Sequence, residues 1–434
     1  MGDAAPGLPG RASLRSHVAS SLSAYWSHGA APVEALPVAT VDLATIVPPL
    51  RLVEVVLPQW AHAAGVDGVV LVPREAVGHG DPAWEHVDWW AAAFLMMECW
   101  HERVWETAHG PAHSSSNRLG DWDTRAWERA WVNRIALFLR QWAAQRASVE
   151  ADSLLGRLPA PDIRVSHDVD AVSKTLAIRL KQSAMGAVAS MRRARGAAGH
   201  LGSSVPRFLF GSQDWWTVTD VLEMESERGI VGTFNLHADQ RRWSPKRWLM
   251  DPGYRLDTPH GRRLLHELSE AGAPVGLHPT FDSFDKPHVL HAQREHLETS
   301  LGRSVTSARQ HWLRFSWHAT WAAQEQAGIR EDSTLMFNDR PGFRASVAAS
   351  WHPWNASAGA PHSLVEVPCC FMDSHRYDYA DIRGDDGRDQ MEAVLHECAA
   401  VHGTMQVLWH PHTLSHDYGW RDGFAELLDL VGTA

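Results

Sequence analysis

The sequence predicts an α/β fold: a distorted (β/α) barrel of about seven parallel strands, preceded by a smaller mixed α/β N-terminal domain. From about residue 160 onward, short apolar segments rich in β-branched residues alternate with amphipathic helical segments, which is typical of a parallel sheet. Several helical segments finish in a glycine directly before the next strand, at Gly229, Gly272, Gly328 and Gly403, as helix C-caps do. A closed or nearly closed barrel accommodates that many parallel strands.

The strand pattern occurs in short, largely apolar segments separated by helical patterns. The predicted strands are residues 162–168, 230–237, 273–278, 305–311, 329–335, 363–371 and 404–410. The predicted helices between them include residues 216–229, 258–272, 317–328 and 389–403.

The chain divides into three parts in this interpretation. Residues 1–12 are rich in Gly, Pro and Ala and are expected to form a flexible leader. Residues 13–158 form the N-terminal domain, with a strand at 66–73 and amphipathic helices, and residues 159–434 form the barrel domain. The N-terminal domain contains no recognisable chemistry, so we expect it to dock on the barrel, to cover the site with its loops, or to mediate homo-oligomer formation.

Composition excludes several classes of partner. The 434 residues carry a formal net charge of −11, which argues against nucleic acid or an anionic membrane as the main partner. No apolar run is long enough to span a membrane, and the first thirty residues lack the apolar core of a signal peptide. The 4 cysteines are too few for a disulfide framework, so we expect a cytoplasmic protein.

The predicted strands end in polar residues. These residues are His167, Asp168 and Asp170, then His237, His278, Arg309, His311, Asp332, Asp373 and His410. In a parallel barrel the carboxyl ends of the strands meet at one rim, where ligands bind. Carboxylates and imidazoles gathered there are costly to bury without a cation. Nitrogen and oxygen ligands of this kind suit a divalent metal, Zn²⁺ first, with Co²⁺, Ni²⁺ or Mn²⁺ as alternatives.

The motifs in these segments resemble the polysaccharide deacetylase (NodB-homology) superfamily, of which carbohydrate esterase family 4 is a branch. The resemblance covers roughly residues 160–434 and is carried by four stretches: SHDVD at 166–170, GLHPTFD at 276–282, ARQHWLR at 308–314 and VLWH at 407–410. The second stretch departs from the family pattern, because Asp282 stands where the family has a second histidine. Other stretches, among them RQHWLRFSW, resemble a bacterial branch with an N-terminal α/β segment.

The resemblance implies a role for each matching residue. Asp168 would be the catalytic base, Arg309 would brace it and His410 would be the catalytic acid. Asp170 and His278 would bind the metal, with either Asp282 or His311 as the third protein ligand. We expect Asp373 or Asp417 to keep His410 protonated.

Four further residues are candidates for substrate binding. Trp312 and Trp409 are interpreted as walls for a sugar ring, with core packing as an equally good account. Asp332 and Arg344 are interpreted as shaping the far side of the pocket, with a mutual ion pair as the alternative.

The activity that the resemblance implies is metal-dependent hydrolysis of an N-acyl group, such as acetyl, from an amino sugar or a related amide. This is deacetylase or amidohydrolase chemistry on a carbon–nitrogen bond other than a peptide bond. One alternative is hydrolysis of a small cyclic or linear amide at the same rim. The other is a catalytically silent carbohydrate-binding relative, which the altered second motif permits.

Overall fold

The computed structural model describes most of the chain and leaves several short stretches and one long one undescribed. The described residues are 7–43, 45–64, 68–78, 82–174, 178, 215–241, 244–251, 253–379 and 385–433. The first half of the predicted leader lies outside them, and helix α1 already begins at Arg11. The predicted leader therefore overlaps this helix at residues 11–12.

The described part of the chain contains helices distributed through both halves. The helices are α1 (Arg11–Ser21), α2 (Ala31–Glu34), α3 (Trp89–Met97), α4 (Trp100–His109), α5 (Trp131–Ala147), α6 (Ala151–Leu155), α7 (Val218–Ser226), α8 (Pro245–Met250), α9 (Pro259–Glu270), α10 (Pro287–Leu301), α11 (Thr320–Gln326), α12 (Asp385–Ala400) and α13 (Arg421–Val431). Within the described ranges, none of them has both the length and the apolar composition that crossing a membrane requires.

The strands are short and most of them belong to one sheet. They are β1 (Leu52–Val56), β2 (Val69–Pro73), β3 (Asp162–Val169), β4 (Thr233–Leu236), β5 (Val275–Leu277), β6 (Ser307–Ala308), β7 (Glu331–Asp332), β8 (Trp354–Asn355), β9 (Ala360–Pro361), β10 (Val365–Glu366), β11 (Cys369–Met372) and β12 (Thr404–Leu408). The large sheet has 8 strands in the order β10-β7-β6-β5-β4-β3-β12-β11, and every pairing in it is parallel. The predicted parallel α/β architecture is confirmed.

The two edges of this sheet belong to one continuous segment of the chain. β10 pairs with β7, and β11 pairs with β12, yet only Val367 and Pro368 separate β10 from β11. The backbone N–H of Val367 still donates to the Asp332 carbonyl oxygen at 2.8 Å, while the N–H of Gln406 donates to the Pro368 carbonyl oxygen at 2.7 Å. One segment therefore pairs with both ends of the sheet and closes it into a distorted barrel of seven strand segments.

Local chemistry sets the boundaries of the crossover helices. In α9, the Thr258 side chain accepts a hydrogen bond from the Gly261 N–H at 3.2 Å, and Pro259 occupies the first turn, where its missing N–H costs nothing. The same helix is followed by Gly272, whose φ of 65° lies in the left-handed region that glycine tolerates. The next strand, β5, can then begin within a few residues, which keeps the crossover compact.

The N-terminal part packs against the barrel with no break in the apolar core. It contains the antiparallel pair β1–β2 and the helices α1 to α6. The middle helices α3 and α5 are almost entirely buried, and one cluster of buried apolar residues extends from Leu14 to Leu428. A sheet or a helix face of this kind is stable only when its apolar side is covered, so the two parts depend on each other for their cores.

Buried polar contacts join the two parts at defined points. Glu98, fully buried after α3, accepts hydrogen bonds from His17 at 2.8 Å, from the Trp351 indole at 3.2 Å and from the Trp354 N–H at 3.0 Å, and it pairs with Arg103 at 2.5 Å. Because a buried carboxylate is costly without such partners, Glu98 connects α1 and α4 to Trp351 and to Trp354, the first residue of β8.

We predict that Glu98→Ala lowers the free energy of unfolding by about 3–5 kcal/mol, because it leaves Arg103 as a buried charge without its partner. Urea unfolding monitored by tryptophan fluorescence measures the change. Glu85→Ala is the matched control, since Glu85 is exposed, and it should change the stability by less than about 0.5 kcal/mol. Equal stability of the two variants would contradict the assigned role of Glu98.

Candidate metal centre and catalytic rim

The centre of the candidate site is the carboxylate of Asp170, directly after β3. Three imidazoles from neighbouring strands surround it. The Nε2 atoms lie 3.5 Å (His237), 3.4 Å (His278) and 3.6 Å (His311) from its Oδ1 atom. One ligand atom from each of these four residues lies within 4.8 Å of the others. The residues follow β3, β4, β5 and β6 respectively, so four successive strands of the barrel build the cluster.

Several atoms of this cluster lack a hydrogen-bond partner. They are Oδ1 of Asp170 and both ring nitrogens of His237, which are buried and unpaired among the described residues. Buried polar atoms are nearly always satisfied, so an unsatisfied group of this kind is suited to bind an ion or a water molecule. Three nitrogen donors and one carboxylate oxygen are the donor types that bind Zn²⁺. The residues present therefore fit the divalent metal that the sequence predicts.

Two outer contacts orient the imidazoles toward Asp170. Nδ1 of His278 lies 2.6 Å from the carbonyl oxygen of Arg309, and Nδ1 of His311 lies 3.4 Å from Oδ1 of Asp251. An acceptor at Nδ1 places the ring proton there and leaves the lone pair on Nε2, the atom that faces the cluster. Both histidines are thereby held in the tautomer that binds a metal through Nε2.

Burial and neighbouring charges set the protonation of the four residues. Burial lowers the pKa of His237 to about 3 and also lowers the pKa of His311, so both imidazoles are neutral donors. For Asp170, burial favours the neutral acid, but the nearby imidazoles of His237 and His278 outweigh it and hold the pKa well below its usual range. Burial also opposes the charged form of His278, yet Asp168 and Asp170 raise its pKa.

Asp168 is held on the inner face of the barrel by a separate set of partners. Its Oδ1 accepts hydrogen bonds from Asn235 at 2.9 Å and from the Arg309 guanidinium at 3.2 Å. Arg309 is itself fixed by the side chain of Gln406 at 2.6 Å and by the carbonyl oxygen of Ser333 at 3.0 Å. Burial would raise the pKa of Asp168, but the charges of His278 and Arg309 outweigh it, and the pKa is lowered.

One glycine is needed to keep this arrangement. A Cβ atom at Gly276 in β5 would lie 2.2 Å from Oδ1 of Asn235, the residue that donates to Asp168. Any larger residue would therefore displace Asn235. This gives Gly276, the first residue of the second motif, a packing role.

His410, after β12, forms a pair with Asp373, which follows the segment that closes the barrel. Its Nδ1 lies 2.8 Å from Oδ1 of Asp373, and its backbone N–H donates to Oδ2 of the same carboxylate at 2.9 Å. Nε2 of His410 lies 3.8 Å from Oδ2 of Asp170, so the imidazole faces the cluster. Burial would lower the pKa of His410, but Asp373, with smaller contributions from Asp170 and Asp168, raises it to about 10.

Of the two carboxylates expected beside His410, the structure places only Asp373 there. Asp417 accepts hydrogen bonds from Lys174 at 2.6 Å and from the Trp215 indole at 2.8 Å instead. It is a buried partner for a lysine, so it does not hold His410.

Asp282 does not join the metal cluster. After His278 the chain turns, with the Ser283 N–H donating to the Thr280 carbonyl oxygen at 3.0 Å, and the Asp282 carboxylate pairs with Lys246 at 2.7 Å. Of the two alternatives that the second motif leaves open, His311 is the residue that lies beside Asp170. Because of this turn, the spacing of four residues from His278 does not bring Asp282 to the metal cluster.

Three residues expected to bind substrate are instead buried away from the rim. The Trp409 ring packs at 5.5 Å on Phe424 of α13, on the outer face of its strand. Asp332 accepts hydrogen bonds from Gln324 of α11 at 2.7 Å and from Thr334 at 2.6 Å. Arg344 pairs with Glu102 of α4 rather than with Asp332. The substrate-binding interpretation of these three is therefore corrected: they are core and interface residues.

Trp312 is the one substrate-binding candidate that lies beside the cluster. Its ring centroid is 5.9 Å from that of His311, and its indole N–H donates to the Met250 carbonyl oxygen at 2.9 Å. Trp312 is partly exposed.

Three residues contact the site directly but have no role implied by the sequence motifs. His237 is a strand-end residue in the sequence but has no counterpart in the family motifs. Asn235 faces inward because side chains alternate along β4 and Phe234 faces outward. This alternation is the sequence signal that could have identified Asn235. Asp251 lies in an irregular stretch after α8, where no local pattern marks it.

Comparisons with known proteins give distant likenesses only. No family model matches the sequence, and no curated protein matches it. Among solved structures, a candidate polysaccharide deacetylase from Mycobacterium smegmatis is similar, with 16% identity, 63% of this chain and 84% of that chain covered, and a TM-score of 0.38. A candidate polysaccharide deacetylase of Bordetella bronchiseptica involved in O-antigen biosynthesis has 14% identity, 62% and 82% coverage and a TM-score of 0.29.

A CE4 family pseudoenzyme from Bacillus anthracis is similar at 12% identity, with 66% of each chain covered and a TM-score of 0.26. Likeness at this distance assigns no activity. The barrel assignment rests on the strand pairing described above, and the site rests on its own geometry.

We predict that the imidazole of His410 titrates near pH 10 in the metal-free protein, and far lower in Asp373→Asn. Because the folded pKa lies above the usual value of about 6.5, the pair stabilises the fold fully below pH 6.5 and loses that contribution as the pH rises through 10. Imidazole chemical shifts followed by NMR across this range measure both pKa values. Titration of His410 near pH 6.5 in the unsubstituted protein would contradict the pairing.

Proposed function

We propose that the protein is a metal-dependent hydrolase that removes an N-acyl group, such as acetyl, from an amino sugar or a related amide. The observation that carries this proposal is the convergence of three groups at one rim. A carboxylate lies among three imidazoles, an ionised Asp168 lies beside Arg309, and His410 lies beside Asp373. Together these groups comprise a metal site, a base and an acid.

Asp170, His237, His278 and His311 would hold the ion. A divalent metal with this donor set supplies Lewis acidity, which activates water at neutral pH and polarises a carbonyl group. His237 and His311 are neutral in the folded protein, so they need no deprotonation before binding. Asp168 and Asp170 raise the pKa of His278, so a proton at its Nε2 would compete with the ion for that nitrogen.

Asp168 would act as the general base. Its Oδ2 lies 3.8 Å from Nε2 of His278, so the free oxygen of this carboxylate faces the cluster, while Oδ1 is occupied by Arg309 and Asn235. The guanidinium keeps the carboxylate ionised and fixes its plane. A water molecule between Asp168 and the cluster would lose its proton to Oδ2 as it attacks the acyl carbon.

His410 would act as the general acid. An amide nitrogen is a poor leaving group, so it must be protonated as the carbon–nitrogen bond breaks. Asp373 keeps His410 in its protonated form, and the Nε2–H bond points toward the cluster. Asp168 and His410 have opposite shifts in pKa, a pattern that separates a base from an acid at one pH.

The proposed substrate class rests on the motif resemblance and on Trp312. The partly exposed indole beside His311 offers a face for a sugar ring. A small cyclic or linear amide remains the alternative substrate for the same rim, and a panel that contains both kinds of compound separates them.

The first test of the proposal is metal binding. We predict that the purified protein binds one Zn²⁺ per chain and that Asp170→Asn and His237→Ala each weaken this binding by at least about tenfold. Asp282→Asn should leave the affinity unchanged, because Asp282 pairs with Lys246 outside the cluster. Competition with a chromophoric chelator measures the affinities. If Asp282→Asn weakened binding and His237→Ala did not, the ligand set would be incorrect.

The second test is catalysis. We predict that the zinc-loaded protein releases acetate from N-acetylated amino-sugar oligosaccharides, and that Asp168→Asn and His410→Ala each lower kcat by about 10²–10⁴-fold while zinc stays bound. Release of acyl groups only from small amides would select the alternative substrate.

His416→Ala is the control for His410, since His416 is an exposed residue of the same loop. It should leave kcat unchanged. A zinc-loaded protein that hydrolyses neither class of compound would contradict an enzymatic role and favour a silent binding protein.

A further inference from the structure

The loop that carries His311 has a strained backbone. Residues His311–Leu313 form a single turn in which Trp312 has φ 60° and Leu313 has φ 49°. Residues other than glycine rarely adopt the left-handed region, and two in succession cost on the order of 1–3 kcal/mol each. Such a conformation persists only where the surrounding structure enforces it. Two sets of contacts enforce it here.

The first set comes from the end of α8. The carboxylate of Asp251 accepts from Nδ1 of His311 at 3.4 Å and from the backbone N–H of Phe281 at 2.7 Å. The preceding carbonyl group, of Met250, accepts the hydrogen bond from the Trp312 indole. Asp251 thus connects the His311 loop to the loop that follows His278, and so joins the segments that carry two of the four clustered residues.

The second set comes from the N-terminal part of the chain. The Ser114 hydroxyl donates to the carbonyl oxygen of Trp312 at 3.0 Å, and the carbonyl group of Ser114 accepts from the Asn338 N–H at 2.8 Å. Ser114 is buried, so water does not replace these contacts. The residue lies between α4 and α5, far from the barrel in sequence.

His113, next to Ser114, holds the other end of the same loop. Its Nδ1–H donates to the Phe315 carbonyl oxygen at 3.0 Å, and its Nε2 accepts from the Arg314 guanidinium at 3.0 Å. Burial, reinforced by Arg314, lowers the pKa of His113 to about 4, so the ring is neutral and can accept that bond. His113 also has a left-handed backbone, with φ 53°.

We propose that Asp251, together with His113 and Ser114, acts as a set of positioning residues that presets His311 for the metal. The N-terminal part would then complete the metal centre from outside the barrel. This inference rests on the proposed function, since it requires that a divalent ion bind at the cluster. None of the three residues lies in the four-residue cluster itself, so their effect acts through the His311 loop.

The test is the zinc affinity of full-length variants, measured by chelator competition. Asp251→Ala should weaken binding by about 10–100-fold, as loss of an outer-shell partner does, and Asp251→Asn by less, because an amide oxygen still accepts a hydrogen bond. Ser114→Ala should weaken it several-fold, and Ser114→Thr, which keeps the hydroxyl, should restore it. Ser115→Ala is the matched control, because Ser115 donates to Asp339 and not to the His311 loop.

The rise in Tm on adding zinc separates positioning from a purely structural role. It depends on zinc affinity through binding to the folded state, so it should shrink in Asp251→Ala and Ser114→Ala but not in Ser115→Ala. Lower Tm values with an unchanged zinc increment and unchanged affinity would overturn the inference and leave the proposed function intact. If the unsubstituted protein bound no zinc, both would be overturned.

Discussion

The architecture of the site depends on two carboxylates that lie two residues apart at the end of β3, Asp168 buried and Asp170 partly buried. Asp168 and Asp170 face one rim, and each needs its own compensating partner, because holding two negative charges side by side away from water is costly. Asp168 is compensated by Arg309, reaching from β6 across the interior. Asp170 is surrounded by imidazoles from the three following strands. This difference in partners is the basis for the proposed roles, Asp168 as base and Asp170 as metal ligand.

The geometry of the barrel determines which side chains face the rim. Side chains alternate along β3, so Asp168 faces inward while His167 faces outward and pairs with Glu225 of α7 at 2.7 Å. The segment that closes the barrel, residues 365–372, leads directly into Asp373, which holds His410. One segment therefore both closes the sheet and positions His410. A local change in that segment would affect fold and chemistry together.

The sequence predicted the barrel and most of the rim because both depend on regular patterns. Parallel strands share a carboxyl end, so polar residues after successive strands must converge, and Asp168, Asp170, His278, His311, Arg309 and His410 do. The alternation of side chains along a strand also explains why Trp409 does not line the rim. The residue before the inward-facing His410 must face outward, and there Trp409 packs on Phe424. Motif spacing left Asp282 and His311 as alternatives, and a turn directs Asp282 to Lys246 while His311 lies beside Asp170.

Long-range contacts were not predictable from the sequence. Arg344 is held by Glu102, and the loop of His311 by Ser114, and neither partner is signalled by periodicity or by local motifs. The N-terminal part is placed by the packing of its apolar surface on the apolar surface of the barrel. Sequence patterns show that its helices are amphipathic but not which surface they cover.

X-ray absorption spectroscopy of the zinc-loaded protein tests the central claim most directly. We expect imidazole nitrogens and carboxylate oxygen around the zinc at about 2.0–2.2 Å, with a histidine contribution that falls by one in His237→Ala. A sulfur-containing shell, or a spectrum with fewer than two histidines that is unchanged in His237→Ala, would place the ion elsewhere and contradict a metal centre at Asp170.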